Sequence, residues 1–189
     1  RITGSNVSFV IPRRNWTSGT VYDIYRHDYG EYTTGSTSVR KTSNSGATTL
    51  FDSNFYVLSS ARNVYKCLDN NGGATSTDEP TGVSTSVITT TDSYKWKFMY
   101  TLSAAQQANF LSTDFMAVSP NSNPGSDQSN VMSAAVNGAI DIVKIKSAGS
   151  GGTAGTFTNI PIRGDGSGGL ATVVVAGGLV TSVTVTTPG

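Results

Sequence analysis

The sequence predicts an all-β protein: an antiparallel β-sandwich with long polar loops and one short helix, followed by glycine-turn β repeats. Charged residues make up only 13% of the chain, against about 25% in ordinary soluble domains, and Ser, Thr, Gly and Asn fill the difference. That composition, with 8 Tyr and 21 Gly, disfavours helices and suits short strands joined by turns. Hydrophobic residues also alternate with a period of two in several short runs, the pattern of half-buried strands.

The first of these runs is FVIPRRNW, Phe9 to Trp16. Pro12 fixes its own backbone and removes a donor, so the strand Val7 to Ile11 should stop at a rim or edge with Arg13, Arg14 and Trp16 beyond it. Arginine forks and an indole at a strand end are anchor chemistry for protein interfaces. The plainer alternative has Trp16 capping the core and both arginines solvated. TVYDIYR (Thr20 to Arg26) and FYVLSS (Phe55 to Ser60) read as further strands. NVYKCLD (Asn63 to Asp69) sets Val64, Lys66 and Leu68 against Tyr65 and Cys67. The clearest alternation is YKWKFMY, which predicts Tyr94, Trp96, Phe98 and Tyr100 on one buried face and Lys95, Lys97 and Met99 on the other. Residues 33–49 and 70–86 are rich in Ser, Thr, Gly and Asn and read as long surface loops.

One helix is expected, where Ser103 and Gln106 form a capping box ahead of Ala104, Ala105, Gln107 and Ala108. FMAVSP, Phe115 to Pro120, resumes as a strand. These elements make a domain over 1–120, with a polar connector over 121–136. From 137 to 189 the composition changes: IDIVKIKSAG at Ile140 to Gly149 recurs as VTSVTVTTPG at Val180 to Gly189, at a constant offset of 40. Two more strands and two glycine turns lie between the copies, so the unit reads as a small β repeat.

Thirteen basic against twelve acidic residues, net +1 and scattered, argue against a nucleic-acid footprint or a polybasic membrane patch. Cys67 is the only cysteine, which rules out a disulfide framework and fits synthesis in a reducing cytoplasm. No apolar run approaches the roughly 20 residues of a membrane helix, so a soluble protein is expected. The chain starts without Met and stops inside a patterned segment. It is therefore expected to be a window on a longer polypeptide, incomplete at its N-terminus and cut within the second repeat copy.

Motifs for chemistry are sparse. His27, the only histidine, stands beside Asp28 and near Glu31, but no second His completes a zinc spacing and no GxSxG nucleophile accompanies it. Asp165 in RGDGSGG sits in a glycine turn with no second carboxylate, where a calcium site needs several. Tight turns explain those glycines without an ion. The Arg163-Gly164-Asp165 triplet and the acceptor-like Asn6-Val7-Ser8 and Asn15-Trp16-Thr17 are too short to carry weight. The glycine clusters lack the GK[ST] ending of a phosphate loop. No catalytic, cofactor-binding or metal residue is assigned, and Arg13, Arg14 and Trp16 are the candidate interface residues.

Four segments in order, FVIPRRNW, VYKCLD (Val64 to Asp69), YKWKFMYTL (Tyr94 to Leu102) and FMAVSP, resemble the dimeric baseplate wedge protein of contractile-tailed bacteriophages. That family shows IPRR[DN]W, VY[RK]CLD, an acidic Pro/Gly stretch like Asp78 to Gly82, and a YxWxxxxxI/L strand, in this succession. The resemblance covers residues 9–120. It implies a non-enzymatic, mainly β-sandwich homodimer, made in the host cytoplasm and built into the tail baseplate of the virion by contacts with other wedge proteins, with no cofactor. The family's N-terminal portion has no counterpart before Arg1, and the glycine-rich region from about Asn137 has none in the family's best-known member. A tail adhesin or carbohydrate-binding module, and a glycosidase using dispersed carboxylates, are the competing expectations.

Overall fold

The computed structural model describes the chain apart from residues 1, 2, 4, 5, 27, 28, 35, 36 and 42 and the side chains of 30–41. His27 and Asp28 therefore lie outside the described residues, as does the Glu31 side chain. The all-β class holds, with every named sheet antiparallel and, among the described residues, two short α-helices rather than one. The chain divides into two compact units, residues 1–134 and 135–189.

The first unit contains β1 (Val10–Pro12), β2 (Gly30–Thr34), β3 (Thr37–Lys41), β4 (Tyr56–Leu58), β5 (Asn63–Asp69), β6 (Ile88–Thr89), β7 (Lys95–Thr101), α1 (Ala104–Phe110), β8 (Phe115–Ala117) and α2 (Ser126–Ala134). A four-stranded sheet in the order β4-β5-β7-β6 is its centre, β1 pairs with β8, and β2 with β3. The paired strands β2 and β3 occupy part of the stretch expected to be a loop over 33–49.

Neighbouring strand residues point to opposite faces, and the sheet uses both. Val57, Tyr65, Cys67, Trp96 and Phe98 belong to one buried cluster with Tyr22 and Tyr94. Leu58 and Val64 belong to a second, with Leu102, Met116 and Ala117. The β1–β8 ribbon and α1 cover this second face, since Ile11, Met116, Ala117 and Phe110 all pack there, which gives the layered, sandwich-like packing.

One predicted face is broken in the middle. Tyr65 opposes Phe98 but Val64 opposes Tyr100, leaving Met99 as an extra residue. A bulge of this kind reverses the facing of the residues beyond it, so Tyr100 joins Leu58 and Val64 in the second cluster while Tyr94, Trp96 and Phe98 stay in the first.

The expected strand at Thr20 to Arg26 is an extended segment that makes one bridge, Thr20 to Ser76. Side chains take the place of a ladder. Tyr22 N donates to the Tyr94 hydroxyl (3.3 Å), Asp23 N to Asn54 Oδ1 (2.9 Å), Asn54 Nδ2 to Val21 O (3.0 Å) and Asn70 Nδ2 to Tyr22 O (2.9 Å). Alternation suggests a strand here, but it cannot tell which kind of group will satisfy the backbone.

Helix α1 begins as its capping box requires: Gln106 N donates to Ser103 Oγ (3.2 Å) and Ser103 N to Gln106 Oε1 (2.9 Å). Helix α2 lies inside 121–136, the stretch read as a connector. Its sequence, SDQSNVMSA, is poor in strong helix formers, and tertiary contacts compensate. Val131 packs on the first cluster, and buried Gln128 donates to Ser119 O (3.3 Å).

The second unit holds β9 (Gly155–Pro161), β10 (Leu170–Ala176) and β11 (Leu179–Thr187), in the order β11-β10-β9. Gly177 and Gly178, both at positive φ (58° and 79°), close the β10–β11 hairpin, a turn that disfavours a Cβ at either position. The first repeat copy, 140–149, forms no regular strand. It runs antiparallel beside β11, with Ile140 N donating to Pro188 O and Val180 N to Ala148 O, each 2.9 Å. The offset of 40 interchanges these two bonds, so the two copies meet about a local two-fold.

Cross-strand partners share a face, and the register sorts this sheet into two. Ile160, Ala171 and Val185 form one row, Phe157, Val173 and Val183 the next. The opposite face carries Thr156, Val174 and Ser182, and the pair Thr172 and Thr184. In this unit only Gly169 and Ala171 are buried.

Candidate functional site

The expected strand Val7 to Ile11 is shorter and shifted, Val10–Pro12, but it stops at Pro12, and the next four residues bridge the two layers of the first unit. Arg13 N donates to Asp114 O (2.8 Å), extending the β1–β8 ribbon. Leu58 N then donates to Arg14 O (2.7 Å) and Trp16 N to Leu58 O (2.9 Å), a parallel bridge centred on Asn15 and Leu58 that ties the segment to β4.

The three candidate side chains do different things. Trp16 is half-buried against the first cluster, and its Nε1 donates to Ser76 Oγ (3.1 Å), which donates in turn to Asp92 Oδ2 (2.8 Å). This is the geometry of a core cap. Arg13 is engaged locally, Nε with Asn15 Oδ1 (2.9 Å) and Nη1 with Ser112 O (2.7 Å). Arg14 differs from both: among the described residues its guanidinium makes one long hydrogen bond, Nη1 to Arg13 O at 3.4 Å. Most of its five donors are left for another acceptor.

Arg14 borders an open groove of about 170 Å³, lined also by Ile11, Pro12, Leu50, Phe51, Phe55 and Tyr56. Phe51 is 64% exposed there. The rings continue outward: Phe55 lies 4.7 Å from Tyr56 and 5.4 Å from Tyr25, centroid to centroid, and Lys66 Nζ sits 5.0 Å over the Tyr25 ring. Burial pushes the Tyr56 hydroxyl pKa up, with Tyr25 adding to it, so Tyr56 stays a neutral donor at any physiological pH. The result is an aromatic strip with a cation at each end. Sequence reading found Arg14 but not the strip, whose one signal was an apolar pair, Leu50-Phe51, inside a Ser/Thr-rich stretch.

The carboxylates that a hydrolase reading would enlist hold loops instead. Asp23, fully buried, accepts from Ser45 N (2.9 Å) and Ser45 Oγ (2.6 Å), and from Ser53 Oγ (3.2 Å) and Asn54 N (3.1 Å). Asp78 Oδ2 accepts from Thr91 N and Oγ1, and Glu79 from Ser60 N and Oγ. Asp92 accepts from Ser76 Oγ, Thr77 N, Asp78 N, Thr90 Oγ1 and Tyr94 N. Burial opposes its ionisation, but hydrogen bonds led by those from Thr90 and Thr77 outweigh it and hold the carboxyl at about 2. Each carboxylate closes a polar loop as a disulfide would in a secreted domain.

The aromatics of YKWKFMY are core residues, as the alternation predicts: Tyr94, Trp96 and Phe98 are fully buried. Cys67 is a buried thiol within the same cluster. Asp165 is exposed in its glycine turn, and among the described residues no three His, Cys, Asp or Glu side chains gather as a metal site. Compared with protein-family models, with curated proteins and with solved structures, the chain finds no match, and the site is read from its own residues and geometry.

Proposed function

We propose that this chain is a structural, non-enzymatic subunit of a contractile bacteriophage tail baseplate wedge, acting as a homodimer and through contacts with other wedge proteins. On this reading it is made in the host cytoplasm, ends in the virion, and needs no cofactor, nucleic acid or membrane. The resemblance of the four ordered segments supports it, and those segments supply β1, β5, β7 and β8, the framework of the first unit.

The observation that carries the interaction role is Arg14, with donors to spare at the rim of an exposed aromatic groove. Arginine beside aromatic rings is the composition of interface hot spots, and a guanidinium there receives a carboxylate or main-chain carbonyl of a neighbouring subunit. Arg14→Ala is expected to weaken binding to wedge proteins about tenfold or more while leaving the melting temperature unchanged, measured by calorimetric titration against reconstituted wedge subunits. Undiminished binding would remove the site from the interface.

The exposed Phe51 and Tyr25 rings favour the adhesin reading as a second possibility, since such rings stack on sugars. Glycan binding that is lost in Phe51→Ala, with no affinity for wedge proteins, would establish it instead.

A further inference from the structure

We propose that the apolar face of the β9–β10–β11 sheet is a self-association surface, covered in solution by the same face of a second copy of this chain. Ile160, Ala171 and Val185, with Phe157, Val173 and Val183, make a continuous apolar face. Phe157 is 41% and Ile160 39% exposed on it. A unit of 55 residues whose only buried residues are Gly169 and Ala171 has almost no core, and small domains without one rely on an added surface.

The edges of the sheet are closed to that role. On β9, Thr158 and Asn159 are inserted opposite Thr172, Asn159 is at φ 56°, and the strand ends at Pro161. Bulges and prolines of this kind block strand addition. The outer edge of β11 is held at its two ends, where Ile140 N donates to Pro188 O and Val180 N to Ala148 O. The face remains, and face-to-face packing of two sheets is the standard way to cover one.

Charge and shape select a second copy as the occupant. A two-fold contact sets a surface against itself, so any charge on it meets a like charge; β9, β10 and β11 contain no charged residue. A dyad running along the strands places β9 of each copy over β11 of the other and β10 over β10. The large Phe157 and Ile160 then meet the smaller Val183 and Val185, and the small Ala171 lies at the centre. Large side chains against small ones let the two layers interdigitate.

The proposal does not depend on the wedge reading, since the resembling segments end before this unit. It is tested by sedimentation velocity on the full chain from about 1 to about 100 μM, the range where a contact of modest area is partly dissociated. A reversible dimer is expected. The double variant Phe157→Thr, Val183→Thr keeps β-favouring residues and the fold, and should raise the dimer dissociation constant about tenfold or more. Thr172→Val with Thr184→Val, on the opposite face, should leave it unchanged. A chain with no concentration-dependent self-association, or a dissociation constant unchanged in Phe157→Thr, Val183→Thr, would each overturn the proposal. Loss of wedge-protein binding in Arg14→Ala is a separate readout, so failure of one reading is distinguishable from failure of the other.

Discussion

The two units of this chain are both antiparallel β structure, yet they are stabilised in different ways. Among the described residues every buried hydrophobic side chain but Ala171 lies in the first unit. There Trp96 stacks on Tyr94 (5.5 Å, 18°) and meets the edge of Tyr22 (5.6 Å, 70°), and carboxylates hold the polar loops over this core. The second unit has a hydrogen-bonded ladder and glycine turns but only one covered hydrophobic residue. A ladder fixes geometry; its net contribution to stability is small, because the unfolded backbone bonds equally well to water. The difference separates a unit that carries its own core from one whose apolar face awaits a cover.

The sharpest way to break this contrast is to truncate one central side chain in each unit. Trp96 is fully buried and its indole N–H has no hydrogen-bond partner among the described residues, so its contribution is packing. Trp96→Ala should cost roughly 3–5 kcal/mol in chemical denaturation followed by the fluorescence of Trp16. Val173 is the corresponding central residue of β10, only half-buried. Val173→Ala should cost less than about 1.5 kcal/mol, measured by amide exchange of β10 at concentrations below self-association, because the second unit contains no Trp or Tyr. Equal costs would mean that the second unit has a core after all.

What the sequence revealed respects the same division. Strands β5 and β7 were legible because period-two alternation reports burial, and α1 because a capping box is a local signal. The flip at Tyr100 was not legible: a bulge depends on the register between two strands, which neither strand encodes alone. Thr20 to Arg26 alternates like a strand, but Asn54, Asn70 and Tyr94, distant in sequence, satisfy its backbone. The repeat at an offset of 40 was visible as matching letters. Its two copies nonetheless differ in structure, since 140–149 is an edge segment and 180–189 a paired strand. At the candidate site, composition located Arg14 but could not separate it from Arg13 and Trp16, whose partners Ser112 and Ser76 lie far along the chain.

A smaller effect should come from the loop-holding carboxylates, a device described only in the first unit. Asp92→Asn leaves an amide nitrogen facing backbone donors and should cost about 1–3 kcal/mol at neutral pH. The acid dependence has a definite sign. The Asp92 carboxyl titrates at about 2 when folded against 3.8 ordinarily, so its stabilisation is complete above about pH 4 and is lost as pH falls through 2. Denaturation midpoints measured from pH 6 to pH 2 should therefore fall more steeply for the parent chain than for Asp92→Asn across the lower part of that range. Parallel curves would show that the five hydrogen bonds do not favour the ionised form.

The smallest effects distinguish two adjacent arginines. Arg13 donates to Ser112 O and Asn15 Oδ1 and so helps hold the turn before β8 against the end of β1; Arg13→Ala should cost about 1 kcal/mol. Among the described residues Arg14 has only its 3.4 Å contact with Arg13 O, and Arg14→Ala should change stability by less than about 0.5 kcal/mol. Both changes remove the same charge, so a general electrostatic effect would appear equally in each and cancel in their comparison. What remains is the fixed hydrogen bonding of one guanidinium and its near absence in the other. An Arg14→Ala loss as large as that of Arg13→Ala would make Arg14 part of the framework, and the aromatic groove would then lack the unspent donor that makes it a docking surface.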